Sequence, residues 1–349
     1  MADAPETNKQ WLLAERPVGR AVRESDFKLE EGPIPEPGDG EFVIRVIYSS
    51  LAPVMRFYML DGAGIEKPLE IGEVMRGRGV GQVVKSKNPD YLVGDIVHGK
   101  MGWQQYAVAD GSDYYLMFKV HQREVPVSTA LGVLGMTGFT AYFGLLDIGK
   151  PKGGETVLVS GAAGGVGSNV GQLAKIAGCK TVGIAGTEEK CRMLTERLGY
   201  DAAINYRAGD LGAQMDKTCP NGIDVFFDNV GGEILDEGLA RINKYARVVA
   251  CGQISQYISG GEGDGGPRPI KNTYKIGRLN ALLQGFLIYD YAPRFKEAER
   301  DMVDWIRDGR LTYQEDVLDG IERMPEALIR LYEGKNSGKQ VVRISPDPF

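Results

Sequence analysis

The sequence predicts an α/β protein of two parts: a barrel-like β domain of short strands, followed by a doubly wound parallel sheet. Three observations predict it. From Gln10 to about Lys119, short β-rich runs are separated by Gly, Pro and Asp. Near Leu131 the texture changes to short apolar runs alternating with helix-like stretches, the pattern of βαβ units. A glycine-rich loop, Gly161-Ala162-Ala163-Gly164-Gly165-Val166-Gly167-Ser168, stands between one such run and the helix-like stretch after it. The length of 349 residues suits two domains of roughly 150 residues or more.

In the first part, Phe42 to Tyr48, Gly79 to Val84 and Asp95 to His98 read as strands, with turns such as Pro35-Glu36-Pro37-Gly38-Asp39-Gly40 between runs. In the second, Glu155 to Ser160 is a short apolar strand. The glycine loop follows, then a helix from Ser168 to Ala177, a strand from Thr181 to Ala185 and a helix from Glu188 to Leu198. Ala203-Ile204-Asn205 reads as a strand end, and Asp224 to Asp228 and Arg247 to Cys251 continue the alternation. The Gly-Pro-rich stretch from Gly260 to Pro269 reads as a loop. Pro293 to Arg307 reads as an amphipathic helix with Phe295, Ala298, Met302, Trp305 and Ile306 on one face. The tail holds a strand-like run, a short helix from Pro325 and a last strand from Gln340 to Ile344.

Composition narrows the function. Glycine supplies 48 residues, about twice the usual share, without a collagen period. With 43% hydrophobic residues the chain is too apolar for disorder. Many glycines in such a chain mark tight turns or backbone that approaches a ligand closely. A net charge of −6 gives no electrostatic footprint for nucleic acid or an anionic membrane. Cys179, Cys191, Cys219 and Cys251 are scattered, so a disulfide framework is not expected and a reduced, cytoplasmic setting is. Met1 to Gln10 is polar and resembles no signal peptide. The most apolar stretch, Val133 to Leu146, is interrupted by Gly and Thr and is too short to span a bilayer. Two histidines, His98 and His121, and four dispersed cysteines do not make a zinc ligand set; no metal is expected, and His98 reads as structural.

The glycine loop is the sharpest local signal. After a strand and before a helix, its glycines allow a tight turn, close approach to a pyrophosphate and close helix–strand packing, while helix N–H groups face the phosphates. The G-x-x-G-x-x-G spacing departs from G-x-G-x-x-G, and no Gly-Lys-Ser/Thr follows, which excludes a P-loop. For the ribose end two readings stand. Glu188 could bind a 2′-OH, the NAD choice; Gly186 and Thr187 leave room for a 2′-phosphate, with Lys190 one turn into the helix to meet it.

Several motifs then occur in order: the loop, Gly186-Thr187-Glu188-Glu189-Lys190, Asn205-Tyr206, Phe227-Asp228-Asn229-Val230-Gly231-Gly232 and Cys251-Gly252-Gln253-Ile254-Ser255-Gln256-Tyr257. Others run from Gln10-Trp11-Leu12-Leu13-Ala14 and Arg16-Pro17-Val18-Gly19, through Pro68 to Gly77 and Gly135 to Tyr142, to Gly334-Lys335-Asn336-Ser337-Gly338-Lys339. Nearly end to end, the chain resembles the zinc-independent medium-chain reductases of activated alkenes: the alkenal/one oxidoreductases, prostaglandin reductases and curcumin reductases. The resemblance implies a GroES-like β-barrel catalytic domain, residues 1–132 and 312–349, and a Rossmann NADP-binding domain, residues 133–311. It implies NADPH as cofactor and a homodimer. By matching position, Gly164, Gly165, Val166 and Gly167 line the pyrophosphate, and Lys190 and Tyr206, beside Gly186, hold the 2′-phosphate. Asn229, Cys251, Gly252, Ile254, Ser255 and Tyr257 border the cofactor, Phe286, Leu287 and Ile288 lie near the nicotinamide, and Asn336 reaches it from the C-terminal segment.

The implied reaction is hydride transfer to the β-carbon of an enone or enal, without metal, with the resulting enolate held by hydrogen bonds. Tyr257 is the candidate catalytic donor, a phenol with an ordinary pKa near 10 that keeps its proton at neutral pH; the ribose 2′-OH is the other candidate. The expected substrate pocket comprises Val54, Met55 and Arg56 with Met136 and Thr137. Here the chain departs from the family. Where Asp-Pro-Tyr-Met-Arg is common it has Ala52-Pro53-Val54-Met55-Arg56, and Phe57 replaces a small residue, which predicts a more apolar pocket. A quinone oxidoreductase and a non-catalytic nucleotide-binding protein are the alternatives. The Cys251 to Tyr257 segment favours alkene reduction over the first, and the intact cofactor constellation argues against the second.

Overall fold

The computed structural model describes residues 7–60, 66–112, 114, 116–121, 125–257 and 269–348. They form two compact units, one of residues 1–131, 316–336 and 340–349, the other of residues 132–315 with 337–339.

The first unit opens with β1 (Asn8–Leu13) paired antiparallel to β2 (Phe27–Gly32). Then follow β3 (Phe42–Ser50), a helical turn α1 (Met55–Tyr58), β4 (Arg78–Ser86), β5 (Ile96–Lys100), β6 (Tyr106–Ala109) and β7 (Phe118–Lys119). β3 is the spine, buried almost throughout, with neighbours on both edges. Phe42, Ile44 and Val46 face one apolar cluster, with Val83 and Val97. Past a register shift between Val46 and Tyr48, Ile47 and Tyr48 join a second, with Val80 and Ile96. A third gathers Leu13, Phe27, Met55 and Trp103, the Phe27 and Trp103 rings 5.1 Å apart.

The second unit begins with α2 (Met136–Phe143) and alternates strictly: β8 (Thr156–Val159), α3 (Gly167–Ile176), β9 (Lys180–Ala185), α4 (Glu188–Glu196), β10 (Ala202–Asn205), α5 (Leu211–Thr218), β11 (Ile223–Asp228), α6 (Gly232–Leu239), β12 (Ile242–Ala250). Two short helices, α7 (Ile254–Tyr257) and α8 (Tyr274–Arg278), precede β13 (Leu282–Gly285) and α9 (Phe295–Arg307). The sheet order is β10-β9-β8-β11-β12-β13, all parallel. The chain winds outward from β8 in one direction, returns to β11 and winds outward in the other. This is the Rossmann topology, with its switch point between the carboxyl ends of β8 and β11. The chain ends with β14 (Glu315–Asp319), α10 (Met324–Tyr332) and β15 (Lys339–Arg343); β15 pairs with β3.

The differences from the sequence pattern have local causes. β12 starts at Ile242 rather than Arg247; polar Asn243 and Lys244 and a left-handed Tyr245 (φ 65°) hide its first half. β13 has all four residues exposed on a sheet edge, so no buried alternation marks it. Pro293, which has no N–H to donate, lies in the 3₁₀ turn Ile288–Arg294, and α9 begins only at Phe295. Of the loop expected from Gly260 to Pro269, only Pro269 lies within the described residues.

Candidate active site

The glycine loop leaves β8 at the switch point. Gly161 has φ of +56°, and a Cβ on Gly167 would collide with the Gly161 carbonyl and stand 2.6 Å from Ala162 Cα. Those constraints draw the start of α3 tightly against the turn. Gly164 N–H donates to Gly161 O and Ser168 N–H to Gly164 O, each at 3.0 Å; the parallel bridge of Gly164 with Gly338 turns Gly165 N–H toward the Gly338 carbonyl, while the N–H groups of Val166 and Gly167 meet no acceptor among the described residues. Two consecutive free donors at the N-terminus of a ten-residue helix form a seat for an anion. Tyr200 fixes that helix from below: its hydroxyl donates to Gly167 O at 2.6 Å, and its ring fills the space a side chain on Gly171 would need.

The register of β9 and β10 sets Ala185 beside Asn205, so the next residues, Gly186 and Tyr206, face each other. A Cβ on Gly186 would stand 3.0 Å from Tyr206 Cε1. Thr187 caps α4 by accepting from Lys190 N–H at 3.2 Å, which places Lys190 in the first turn of α4. Glu188 is engaged by its neighbour, accepting from Asn205 Nδ2 at 2.7 Å. Sequence reasoning missed Arg207, whose Nε donates to the Tyr206 hydroxyl at 3.2 Å and whose guanidinium lies 5.4 Å from the ring centroid. The available signal was a cation directly after the tyrosine.

Across the switch point Asp228 ties the strand ends together, a second residue the sequence reading did not single out. Its Oδ1 accepts from Ser160 Oγ at 2.6 Å and from Val230 N–H at 3.2 Å, and its Oδ2 from Gly231 N–H at 2.9 Å. Its main-chain carbonyl accepts from Cys251 and Gly252 N–H. Burial raises the Asp228 pKa above the ordinary carboxylate range, opposed by the hydrogen bonds from Ser160 Oγ and the Val230 and Gly231 N–H groups. Asn229 donates its N–H to Ser160 Oγ and its Nδ2 to Ser160 O, each at 2.8 Å. The segment after β12 docks on the same loop: Ile254 N–H donates to Asn229 O, and Ser255 donates both N–H and Oγ to Val230 O. Tyr257 turns its hydroxyl oxygen back to accept from Gln253 N–H at 3.2 Å; burial raises its pKa, so the phenol keeps its proton. Desolvation, with Asp228 adding to it, pushes the Cys251 thiol up to about 12, which keeps it protonated at neutral pH.

The structure thus brings the loop glycines, Gly186, Lys190, Tyr206, Asn229 and the 251–257 segment to the carboxyl-end side of one sheet. Thr137, on α2, joins them: its methyl would be 3.4 Å from a Cβ on Gly165, and its Oγ1 donates to Gly132 O at 2.9 Å. Met136, beside it, is half-buried. Phe286 meets Tyr291 edge-on at 6.1 Å, and Leu287 is exposed and Ile288 half-buried. Val54, Met55, Arg56 and Asn336 belong to the first unit. Val54 is exposed and Met55 is buried in the cluster around Trp103. The buried Arg56 donates through Nη2 to the carbonyls of Pro17 (3.1 Å) and Arg20 (2.7 Å). Asn336 is buried.

Among the described residues no group of three or more His, Cys, Asp or Glu could hold a metal ion. His98 is buried against Phe118, ring centroids 4.4 Å apart, and all four cysteines are free. No helix of the described residues is long and apolar enough to cross a membrane.

Comparison with known proteins agrees with this topology. Residues 9–117 match the family described as the N-terminal domain of oxidoreductase, and residues 165–307 the family described as zinc-binding dehydrogenase. The chain is 43% identical over 348 residues to the NADPH-dependent curcumin reductase of Escherichia coli (strain K12), covering 99% of this chain and all of that one. It is 40% identical to prostaglandin reductase 1 of Bos taurus over 337 residues, 96% of this chain and 98% of that one. The crystal structure of CurA from Vibrio vulnificus in complex with NADPH superposes with a TM-score of 0.90 at 42% identity, over 97% of this chain and 99% of that one. The protein belongs to the medium-chain dehydrogenase/reductase family, within its branch of curcumin and prostaglandin reductases.

Proposed function

We propose that this reductase uses NADPH to reduce the carbon–carbon double bond of enones and enals, delivering hydride to the β-carbon. The observation that carries the reading is the pair of free N–H groups on Val166 and Gly167 at the start of α3, with Gly186, Lys190, Tyr206 and Arg207 at the end of the neighbouring strands. The N–H pair suits a pyrophosphate, and the cations beside a notch without a side chain suit a 2′-phosphate. Relatives named as NADPH-dependent curcumin reductase and NADP(+)-dependent 2-alkenal reductase support both cofactor and chemistry.

When bound, NADPH supplies the hydride. The chain's own residues bind, orient and stabilise charge. Asn229 and the 251–257 segment, braced by Asp228, border the cofactor. Tyr257 acts as the hydrogen-bond donor to the substrate carbonyl, and burial raises its pKa, which keeps its proton in place. Residues 1–132 and 312–349 serve as the catalytic domain and 133–311 as the NADP-binding domain. Val54, Met55, Arg56, Met136 and Thr137 form the substrate pocket, and valine at position 54 makes it apolar, favouring aryl or long alkyl enones. Val54→Tyr is expected to shift selectivity toward small polar enals; unchanged selectivity would remove that role.

The protein works as a homodimer, supported by the open edge of β13, where Leu282, Leu283 and the following Leu287 are exposed. Four free cysteines suit a cytoplasmic setting. The deciding experiment follows NADPH oxidation with an enone, an enal, a quinone and no acceptor. Turnover with the enone and enal, each yielding the saturated carbonyl product, is expected. Tight NADPH binding without turnover of either would overturn the reading.

A further inference from the structure

Between α2 and β8 the chain forms a π-helix, Gly144–Gly149, in which Lys150 N–H reaches back five residues to Leu145 O at 2.8 Å. Such turns are uncommon and gather at functional sites. The first residue of this one shows what it holds. Gly144 has ordinary helical backbone, φ −61° and ψ −40°, where alanine would be the better helix former. What excludes alanine is space: a Cβ there would stand 2.8 Å from Phe227 Cε2 and 2.8 Å from Phe286 Cζ. Glycine lets both rings rest against the turn.

The two rings differ in freedom. Phe227 is fully buried on β11, inside the sheet, and has nowhere to go. Phe286 follows β13, the edge strand whose four residues are all exposed, and is itself half-buried. Tyr291 meets it edge-on with ring centroids 6.1 Å apart, and stacks at 4.7 Å on Phe143, the residue directly before Gly144. The π-helix, Phe143 and Tyr291 form a bracket around the Phe286 ring. That ring stands at the carboxyl end of the sheet: parallel register sets Ala250 beside Gly285, so Cys251 and Phe286 leave their strands side by side. Gly186 and Tyr206 follow β9 and β10, in the other half of the sheet. A dinucleotide whose ribose phosphate lies there leaves its second nucleotide to the β11–β13 half. We propose that the bracket sets the wall of the nicotinamide end, with Gly144 as a positioning residue that acts through Phe286. The inference rests on the NADPH reading given above.

Gly144→Ala adds one methyl group where Phe227 cannot yield, so Phe286 moves outward. Kd values for NADPH and for 2′-phospho-ADP-ribose, which lacks only the nicotinamide, are measured by calorimetry on the full chain. NADPH is expected to weaken about fivefold or more, the low end of what an added methyl group costs in a packed slot, while 2′-phospho-ADP-ribose is unchanged. In a Phe286→Leu background, where the colliding ring is gone, Gly144→Ala is expected to cost NADPH affinity nothing further. Equal weakening of both ligands, which a merely structural glycine would give, overturns the inference. Unchanged NADPH affinity overturns it too, as does an undiminished cost in the Phe286→Leu background. Should Gly144→Ala fail to fold, Tyr291→Ala removes the other arm of the bracket. It is expected to weaken NADPH and spare 2′-phospho-ADP-ribose; equal effects on both, or none, overturn the inference. A wild type that binds neither ligand overturns the NADPH reading as well; one that binds NADPH, with the variants binding it equally well, overturns this inference alone.

Discussion

The proposed choice of NADPH over NADH rests on a small, exposed cluster, so its size can be estimated in advance. Adjacent strand ends set Gly186 against Tyr206, Thr187 places Lys190 in the first turn of α4, and Arg207 stacks on the tyrosine ring. Each cation that meets a 2′-phosphate oxygen makes a charge-assisted hydrogen bond, worth about 1.5–3 kcal/mol when well formed. Tyr206 is 38% exposed, so water competes and the lower end applies. About 1.5 kcal/mol is roughly tenfold in affinity. Lys190→Ala is therefore expected to weaken NADPH about tenfold and leave NADH nearly unchanged. Arg207→Ala is expected to act in the same direction, and the double variant to lose close to the product, about a hundredfold, if the two cations act independently. Fluorescence titration of both dinucleotides at fixed low salt reads the ratio, and raising the salt should shrink it. Parallel losses of NADPH and NADH affinity in Lys190→Ala would refute the phosphate assignment, because NADH has no group there to lose.

Three further outcomes are expected. Tyr257→Phe should lower kcat by about a hundredfold, the scale of one oxyanion donor, with NADPH affinity unchanged; full activity would assign the donor to the ribose 2′-OH. Gly171→Ala drives a methyl into the Tyr200 ring and should cost about 1–3 kcal/mol in denaturant unfolding, partly recovered by Tyr200→Leu; wild-type stability would mean the ring moves freely. For Glu155, burial disfavours the charged form, but hydrogen bonds from Arg247 Nη1 (3.0 Å) and Lys152 N–H (2.8 Å) outweigh it and hold the pKa below its ordinary value. The folded-state value lies below the unfolded one, so this stabilisation is complete above the unfolded carboxylate range, about 4.3, and is lost as pH falls through the folded value. Glu155→Gln should therefore be less stable than wild type at neutral pH, with a gap that closes in acid; a gap independent of pH would refute the assignment.

What the sequence could reveal follows from what each element needs. The central strands β8, β9 and β11 are buried on both faces and must be short apolar runs, so they stand out. The loop between β8 and α3 needs glycine where backbone meets backbone, so its spacing is visible too. β13 is an exposed edge with no burial to satisfy, and its residues follow no pattern. The ribose end was ambiguous because one-dimensional spacing offers Glu188 and Lys190 equally. Only the register of β9 and β10 brings Asn205 to Glu188 and sets Gly186 against Tyr206. Arg207 escaped notice for a related reason: a cation becomes part of such a cluster through the ring it lies against.

Asp228 shows why such a site needs a buried charge at all. At the switch point the connections from β8 and β11 depart in opposite directions, so the loops there have no neighbouring strand to pair with. Their N–H groups still require acceptors, and each one left buried and unmet would cost about 1–3 kcal/mol. Asp228 supplies what the sheet ladder supplies elsewhere. Its side chain takes Ser160 Oγ and the N–H groups of Val230 and Gly231, and its carbonyl takes those of Cys251 and Gly252. One residue thereby joins the ends of β8, β11 and β12. Burial raises the pKa of this carboxylate, and the hydrogen bonds from Ser160 Oγ and the Val230 and Gly231 N–H groups oppose that rise. An apolar residue in its place would relieve that cost but free three strand ends to move separately. Asn229 and Tyr257 are carried on those ends, and the hydride transfer proposed above would tolerate little error in their placement.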